Sequence, residues 1–266
     1  MPRFAANLSM LYGEENFLDR FAAAAADGFS GVEYLFPYAY ERGILAEKLA
    51  ACRLEQVLFN LPPGDWEKGE RGIACHPDRI GEFRDGVGIA LDYAAALRCK
   101  RLHPMAGIAP EGQSPGRLHD TYVANLAYAA AQARKAGIRI VIEPINTRDM
   151  PGFYLNGSRQ ALDIIDEVGS DNIFLQFDIY HMQVMEGDLA RTIESNLGRI
   201  GHMQLADNPG RNEPGTGEIN YPFLFRRLDA LGYTGWLGCE YRPRAGTRAG
   251  LGWLAAARAA SQGVSA

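Results

Sequence analysis

The sequence predicts an α/β protein, a single (β/α)8 TIM-type barrel over residues 1–266. Three observations predict it. Strand-like and helix-like runs alternate strictly, eight of each, which favours a parallel sheet with helical crossovers. No composition break or low-complexity linker marks a second domain. A chain of 266 residues with 47% hydrophobic content has the size of one closed barrel. The rival is a doubly wound open sheet, but no G-x-G-x-x-G follows the first strand and no G-x-x-x-x-G-K is present.

Each element has a local reason. Residues 4–8 are a short apolar run, the first strand. Residues 14–27 place Phe17, Phe21 and Ala24 at helical spacing, and Gly28 is the stop. Residues 31–35 are strand-like and carry Glu33; an aromatic loop (Phe36, Tyr38) follows. Residues 44–52 read as a helix and 55–60 as the third strand. Residues 61–77 form a long loop rich in Pro, Gly and charge, of the kind more often functional than idle. Residues 78–98 are helical, with Ile80, Phe83, Val87, Leu91 and Ala94 on one face, and 101–105 are a strand. After a loop comes an Ala-rich helix, 119–136, closed by Gly137. Residues 138–143 are continuous and β-branched, as expected of a strand buried on both faces. Ser158 is expected to cap a helix to Val168, and residues 172–178 form the sixth strand. Asp188 is expected to cap a helix ending near Gly198, before a strand at 199–205. Asn220 and Pro222 suit the start of a helix over 221–231. Residues 235–240 are the eighth strand, 250–260 the last helix, and a small-residue tail is expected to fray.

Composition excludes several classes. A net charge of −5 disfavours nucleic-acid binding, which needs a basic face. The four cysteines (Cys52, Cys75, Cys99, Cys239) show no paired spacing, so neither a disulfide framework nor a zinc ribbon is readable. No signal peptide or membrane-length apolar run is visible, so a cytoplasmic protein with no membrane partner is expected. The oligomeric state is left open, a homo-oligomer included.

The chemistry gathers at strand ends. Four apolar runs finish on oxygen-bearing side chains: IVIEPIN on Glu143, IFLQFDIYH on Asp178, the run before the 207–220 loop on Gln204, and WLGCEYRP on Glu240. Barrel sites are built at the C-terminal ends of strands, so these four would converge. A lone carboxylate at a strand end is usually a helix cap or surface ion pair, and a lone Gln a satisfied polar residue. Capping does not require consecutive strands to end alike. Three carboxylates and one amide oxygen select a hard cofactor ion, Mg2+ or Mn2+. His181 is either a packed histidine or a pocket residue, and His103 ends a strand from which it would reach the pocket. His202 reads as structural or as support behind the ligands. Arg211, Lys68 and Arg71 are either solvated or clamps for an anionic substrate.

Four motifs carry a family resemblance: EPINTRDMPGFYL (residues 143–155), QFDIYHMQ (176–183), HMQLADNPGRNEPGTGEINY (202–221) and GCEYRP (238–243), with the FNLPPGDWEKGERGIA loop. The chain resembles the hydroxypyruvate isomerase group of the xylose isomerase-like barrels, over nearly its whole length. The resemblance implies one divalent metal on Glu143, Asp178, Gln204 and Glu240. Epimerase relatives usually carry His at the Gln204 position, so the isomerase branch fits better. It implies a small-molecule hydroxy-keto acid substrate, hydroxypyruvate interconverting with tartronate semialdehyde, and 2-oxo-tetronates fit the same motifs. Glu143 and Glu240 would be ligands and acid/base groups together, with His181 bonding a substrate oxygen and Phe36, Tyr38 and Trp66 excluding water. The rivals are a ketose 3-epimerase, a sugar-acid sensor without catalysis, and a metal-dependent nuclease for abasic DNA.

Overall fold

The computed structural model describes residues 2–262. Eight strands close into a barrel in chain order, every neighbouring pair parallel. They are β1 (Arg3–Asn7), β2 (Gly31–Glu33), β3 (Glu55–Asn60), β4 (Arg101–His103), β5 (Arg139–Ile142), β6 (Ile173–Asp178), β7 (Ile200–Leu205) and β8 (Trp236–Cys239). Among the described residues nine α-helices surround them: α1 (Arg20–Ala26), α2 (Arg42–Cys52), α3 (Ile80–Leu97), α4 (Pro115–Lys135), α5 (Ser158–Val168), α6 (Ile179–Met185), α7 (Leu189–Asn196), α8 (Tyr221–Ala230) and α9 (Gly252–Gln262). The open-sheet alternative is therefore excluded. No helix among the described residues is long and apolar enough to cross a membrane.

Several boundaries differ from the sequence reading. The first helix starts later, as a 3-10 turn at Phe17–Asp19 leading into α1. Helix α4 starts earlier, because Ser114 Oγ accepts from the Arg117 amide and Pro115 suits the first turn. Helix α6 was not expected: Asp178 caps it through Oδ1, which accepts from the Tyr180 amide at 2.7 Å. Gly157, not Ser158, occupies the cap position of α5, and the Ser158 hydroxyl donates to Glu186 instead. Asp188 precedes α7 without a side-chain capping bond. Asn220 does cap α8, accepting from the Phe223 amide. Residues 263–266 of the tail lie outside those described.

Two cores hold the barrel. The larger lies between helices and strands and draws on Phe21, Phe83, Val87, Leu126, Leu162 and Leu237. The smaller fills the barrel's interior with Ala5, Val57, Leu58, Val141 and Trp236, with Phe174 against them. Side chains alternate across a strand with period two. An interior apolar residue therefore predicts what sits above it: Val141 leads to Glu143, Phe174 to Gln176 and Asp178, Trp236 to Gly238 and Glu240. Apolar packing fills the N-terminal end of the barrel, and polar groups occupy the C-terminal end.

Trp236 is the plug at that lower end. Its indole Nε1 donates to Glu55, Arg3 lies 3.7 Å over its ring, and its six-membered ring fills the space beside Gly31. A Cβ on Gly31 would come within 2.6 Å of the indole. Gly31→Ala is therefore expected to destabilise the fold by about 1–3 kcal/mol, the usual cost of overpacking. Urea unfolding of the purified variant measures this, and an unchanged midpoint would remove the plug from the argument.

Candidate active site

Glu143, the residue after β5, and Glu240, the residue after β8, are both buried, as are Asp178 at the end of β6 and Gln204 within β7. All four belong to the C-terminal end of neighbouring strands. Asp178 and Gln204 stand opposite each other in register. Asp178 spends Oδ1 on the cap of α6 and leaves Oδ2 without a partner. Glu143 Oε1 is likewise buried and unpaired, while its Oε2 lies 3.6 Å from His103 Nδ1. Glu240 accepts from Arg211 Nη2 at 3.3 Å. Gln204 donates through Nε2 to Glu33 Oε1 at 2.8 Å and accepts through Oε1 from Gln176 at 2.6 Å.

Burial sets the electrostatics. It pushes Glu143 well above the usual carboxylate range, with Glu240 and Asp178 adding repulsion. It raises Glu240 to about 8 and Asp178 to about 6, and the Arg211 charge opposes both shifts. Three carboxyl groups thus crowd one small volume with one guanidinium among them. Buried carboxylates of this kind are stable only when protonated or matched by a cation.

His181 lies in α6 with its ring in the pocket, and its Nδ1 is held from behind. The Asn146 backbone N–H donates to Nδ1 at 3.3 Å, and the Asn146 side-chain amide lies 2.7 Å from the same atom. Asn146 is held in turn, because its Oδ1 accepts from the amides of Arg148 and Asp149. The other ring nitrogen, Nε2, lies 3.4 Å from Arg211 Nη2. It sits 3.6 Å from Asp178 Oδ2 and 3.9 Å from Glu143 Oε1. Burial and the Arg211 charge hold His181 well below its ordinary value, so it is neutral. Burial, with His202 nearby, lowers His103 to about 3, and neither of its ring nitrogens has a hydrogen-bond partner.

Arg211 reaches the pocket from the 207–220 loop, and that loop is organised by Asp207. Its carboxylate accepts from the amides of Gly215, Gly217 and Ile219. Arg211 takes a left-handed backbone, φ 53°, and its carbonyl accepts from the Arg242 amide beyond β8. Such backbone is uncommon for an arginine and concentrates at functional sites. The guanidinium also lies 3.5 Å from Asp149 and over the Tyr180 ring.

The structure does not bring Lys68 and Arg71 into contact with the carboxylates. The Lys68 ammonium is exposed and paired with Asp65 at 2.8 Å. Arg71 donates to the carbonyls of Trp66 and Glu70 and lies 4.1 Å over the Trp66 ring. Trp66 packs edge-to-face on Phe36, whereas the Tyr38 hydroxyl donates to the Asn60 carbonyl. Residues that sequence reasoning did not place in the site are Asn146, Asp149 and Glu33. Asn146 and Asp149 lie within the EPINTRDMPGFYL stretch, so their position was the available signal.

Glu143, Asp178 and His181 offer ligand atoms all within 4.8 Å of one another. This is the one group of three or more His, Cys, Asp or Glu among the described residues with that spacing. The two orphaned carboxylate oxygens and the excess of acid fit a cation, so the residues present suit a metal centre.

The xylose isomerase-like TIM barrel family model matches residues 21–257. The chain belongs to that family. Among family relatives, a 2-oxo-tetronate isomerase of Cupriavidus necator is 55% identical over 254 residues, covering 96% of this chain and 98% of the relative. A hydroxypyruvate isomerase of Escherichia coli is 54% identical over the same shares. The crystal structure of a Brucella melitensis protein named AP endonuclease, family 2, superposes with a TM-score of 0.94 at 49% identity, covering 96% and 99% of the two chains. With full-length isomerase relatives at this identity, this member of the family is an enzyme of the isomerase class.

Proposed function

We propose that this barrel interconverts hydroxypyruvate and 2-hydroxy-3-oxopropanoate through an enediolate, with a divalent ion, Mg2+ or Mn2+, held by Glu143, Asp178, Gln204 and Glu240. The observation that carries it is the pair of buried carboxylates, Glu143 and Glu240, that follow β5 and β8 in one pocket, where burial raises Glu240 to about 8 and pushes Glu143 well above the usual carboxylate range. An ion held by these four side chains would supply Lewis-acid polarisation of the substrate carbonyl. One glutamate takes the proton from the hydroxymethyl carbon, and the electron pair forms the carbon–carbon double bond of the enediolate. A proton returned to the former carbonyl carbon, with the O–H proton of the other carbon passing to the former carbonyl oxygen, completes the exchange. Nothing is oxidised or reduced overall.

The remaining residues hold the substrate. His181 faces the pocket through Nε2 and bonds a substrate oxygen. Arg211 brings the fixed positive charge that an oxo acid needs. Phe36 and Trp66 shield the enediolate from water. The same constellation serves 2-oxo-tetronate, as the names of three relatives suggest.

A nuclease reading draws on the name that the Brucella protein carries, but the histidine supply speaks against a multi-metal cluster. His119 bonds Glu167 on the outside of the barrel, and His76 bonds the Ile108 carbonyl. His202 is committed to Glu33 below the pocket. The test is a panel of hydroxypyruvate, 2-oxo-tetronate, ketohexoses and abasic-site DNA, run with Mn2+ in deuterium oxide. One of the two oxo acids is expected to exceed the ketohexoses in kcat/KM by roughly tenfold or more, with deuterium in the product. No turnover of either oxo acid, or nicking of the DNA instead, would overturn the reading.

A further inference from the structure

Beneath the carboxylate pocket lies a second buried polar cluster that the proposed reaction does not use. Its centre is Glu33, at the end of β2. Oε1 accepts from Asn7 Nδ2 at 3.1 Å and from Gln204 Nε2 at 2.8 Å, and Oε2 accepts from His202 Nε2 at 2.8 Å. The donors stand on β1 and β7, so one carboxylate binds both sides of the barrel's closure. Gly238 makes the room: a Cβ there would fall on the Glu33 carboxylate. The clearance is built into β8, the strand that Glu240 follows.

The consequence falls on Gln204. A glutamine amide has nearly the same shape in either orientation, so its surroundings decide which end points where. Three donors converge on Glu33, which acts toward each of them as an acceptor. Only the NH2 end of Gln204 can face it. The carbonyl oxygen is thereby turned the other way, where Gln176 donates to one lone pair and Asp178 stands opposite in register. A hard cation binds the carbonyl oxygen of an amide, not its nitrogen.

We propose that Glu33 is a positioning residue of the cation site: it locks the Gln204 amide so that an oxygen, and not a nitrogen, is offered beside Asp178. The inference rests on the cation assignment made above. Glu33 touches no reacting atom, and its action runs through Gln204 alone.

The test is Mn2+ binding to the purified metal-free protein, followed by isothermal titration and by the electron paramagnetic resonance signal of free Mn2+. In Glu33→Gln the new amide both donates and accepts, so either orientation of Gln204 is satisfied. Mn2+ affinity is expected to fall about 10–100-fold, the usual effect of losing a residue that orients a ligand. Combining Glu33→Gln with Gln204→Glu exchanges acid and amide across the pair. A carboxylate at position 204 presents oxygen on both sides, so binding is expected to return to within about threefold of wild type. Gln176→Met leaves Glu33 in place and should likewise stay within about threefold. Wild-type affinity in Glu33→Gln, a folded double variant that still fails to bind, or a Gln176→Met that loses binding would each overturn the proposal. If Glu33→Gln does not fold, the double variant and Gln176→Met carry the decision. A wild-type protein that does not bind Mn2+ would instead overturn the cation assignment itself, and this inference with it.

Discussion

Glu143→Gln is expected to lower kcat for the oxo acid by a factor on the order of 10²–10⁴, the usual contribution of a positioned acid or base. The same change should not weaken the metal-free fold. Glu143 Oε1 is buried without a partner, and Glu240 and Asp178 repel its charge. A neutral amide of the same shape relieves that repulsion, so the variant should melt at or above the wild-type temperature at pH 8. Glu240→Gln should lose turnover to a similar extent but gain no stability, because Glu240 is the carboxylate that pairs with Arg211. Rapid-quench or coupled assays and thermal melts of both variants decide the matter. Activity within a few-fold of wild type in either would remove that glutamate from the chemistry.

The metal-free protein should lose stability as pH rises from about 5 to about 8, and added Mn2+ should reverse the trend. The native state raises Asp178 to about 6, Glu240 to about 8 and Glu143 well above its ordinary range, chiefly through burial. In the unfolded chain these groups ionise near 4. Between those limits the native state holds protons that the unfolded state has released. Stability is therefore complete below the unfolded pKa values and falls as pH climbs through the native ones, by a few kcal/mol in order of magnitude. Metal binding requires the ionised forms, so the melting shift produced by Mn2+ should grow over the same interval. Melting curves in EDTA and in MnCl2 between pH 5 and 8 test both halves. A level or rising curve in EDTA, or a Mn2+ shift that shrinks toward pH 8, would contradict the assignment of these carboxylates. Glu240→Gln should flatten the EDTA curve.

The barrel was legible because its strands advertise themselves. Val141 and Ile142 before Glu143, and Phe177 before Asp178, are apolar runs that end on a charge. Alternation then puts that charge on the inside of the barrel, above the apolar filling. Helix α6 was hidden by the double employment of Asp178. A residue read as a strand-end carboxylate is also a cap, and the helix it starts has its first four residues buried, with no polar face there to give a period. Glu33 was visible as a residue but not as the centre of a cluster. Its strand has only three residues, and its partners His202 and Gln204 lie 169 and 171 positions away. No local pattern encodes a bond of that span. Lys68 and Arg71 had the charge expected of substrate clamps, but their contacts are made with neighbours in their own loop, which the sequence does not reveal.

The Arg211 guanidinium, lodged between His181 and Glu240, already gives the acid cluster one fixed positive charge. Under the proposed metal assignment, a divalent ion would compete with that resident charge for Glu240. Selectivity for doubly charged ions would follow from that contest, since a sodium or potassium ion offers the acids no more charge than the side chain already provides. The guanidinium itself is tethered through the loop that Asp207 organises.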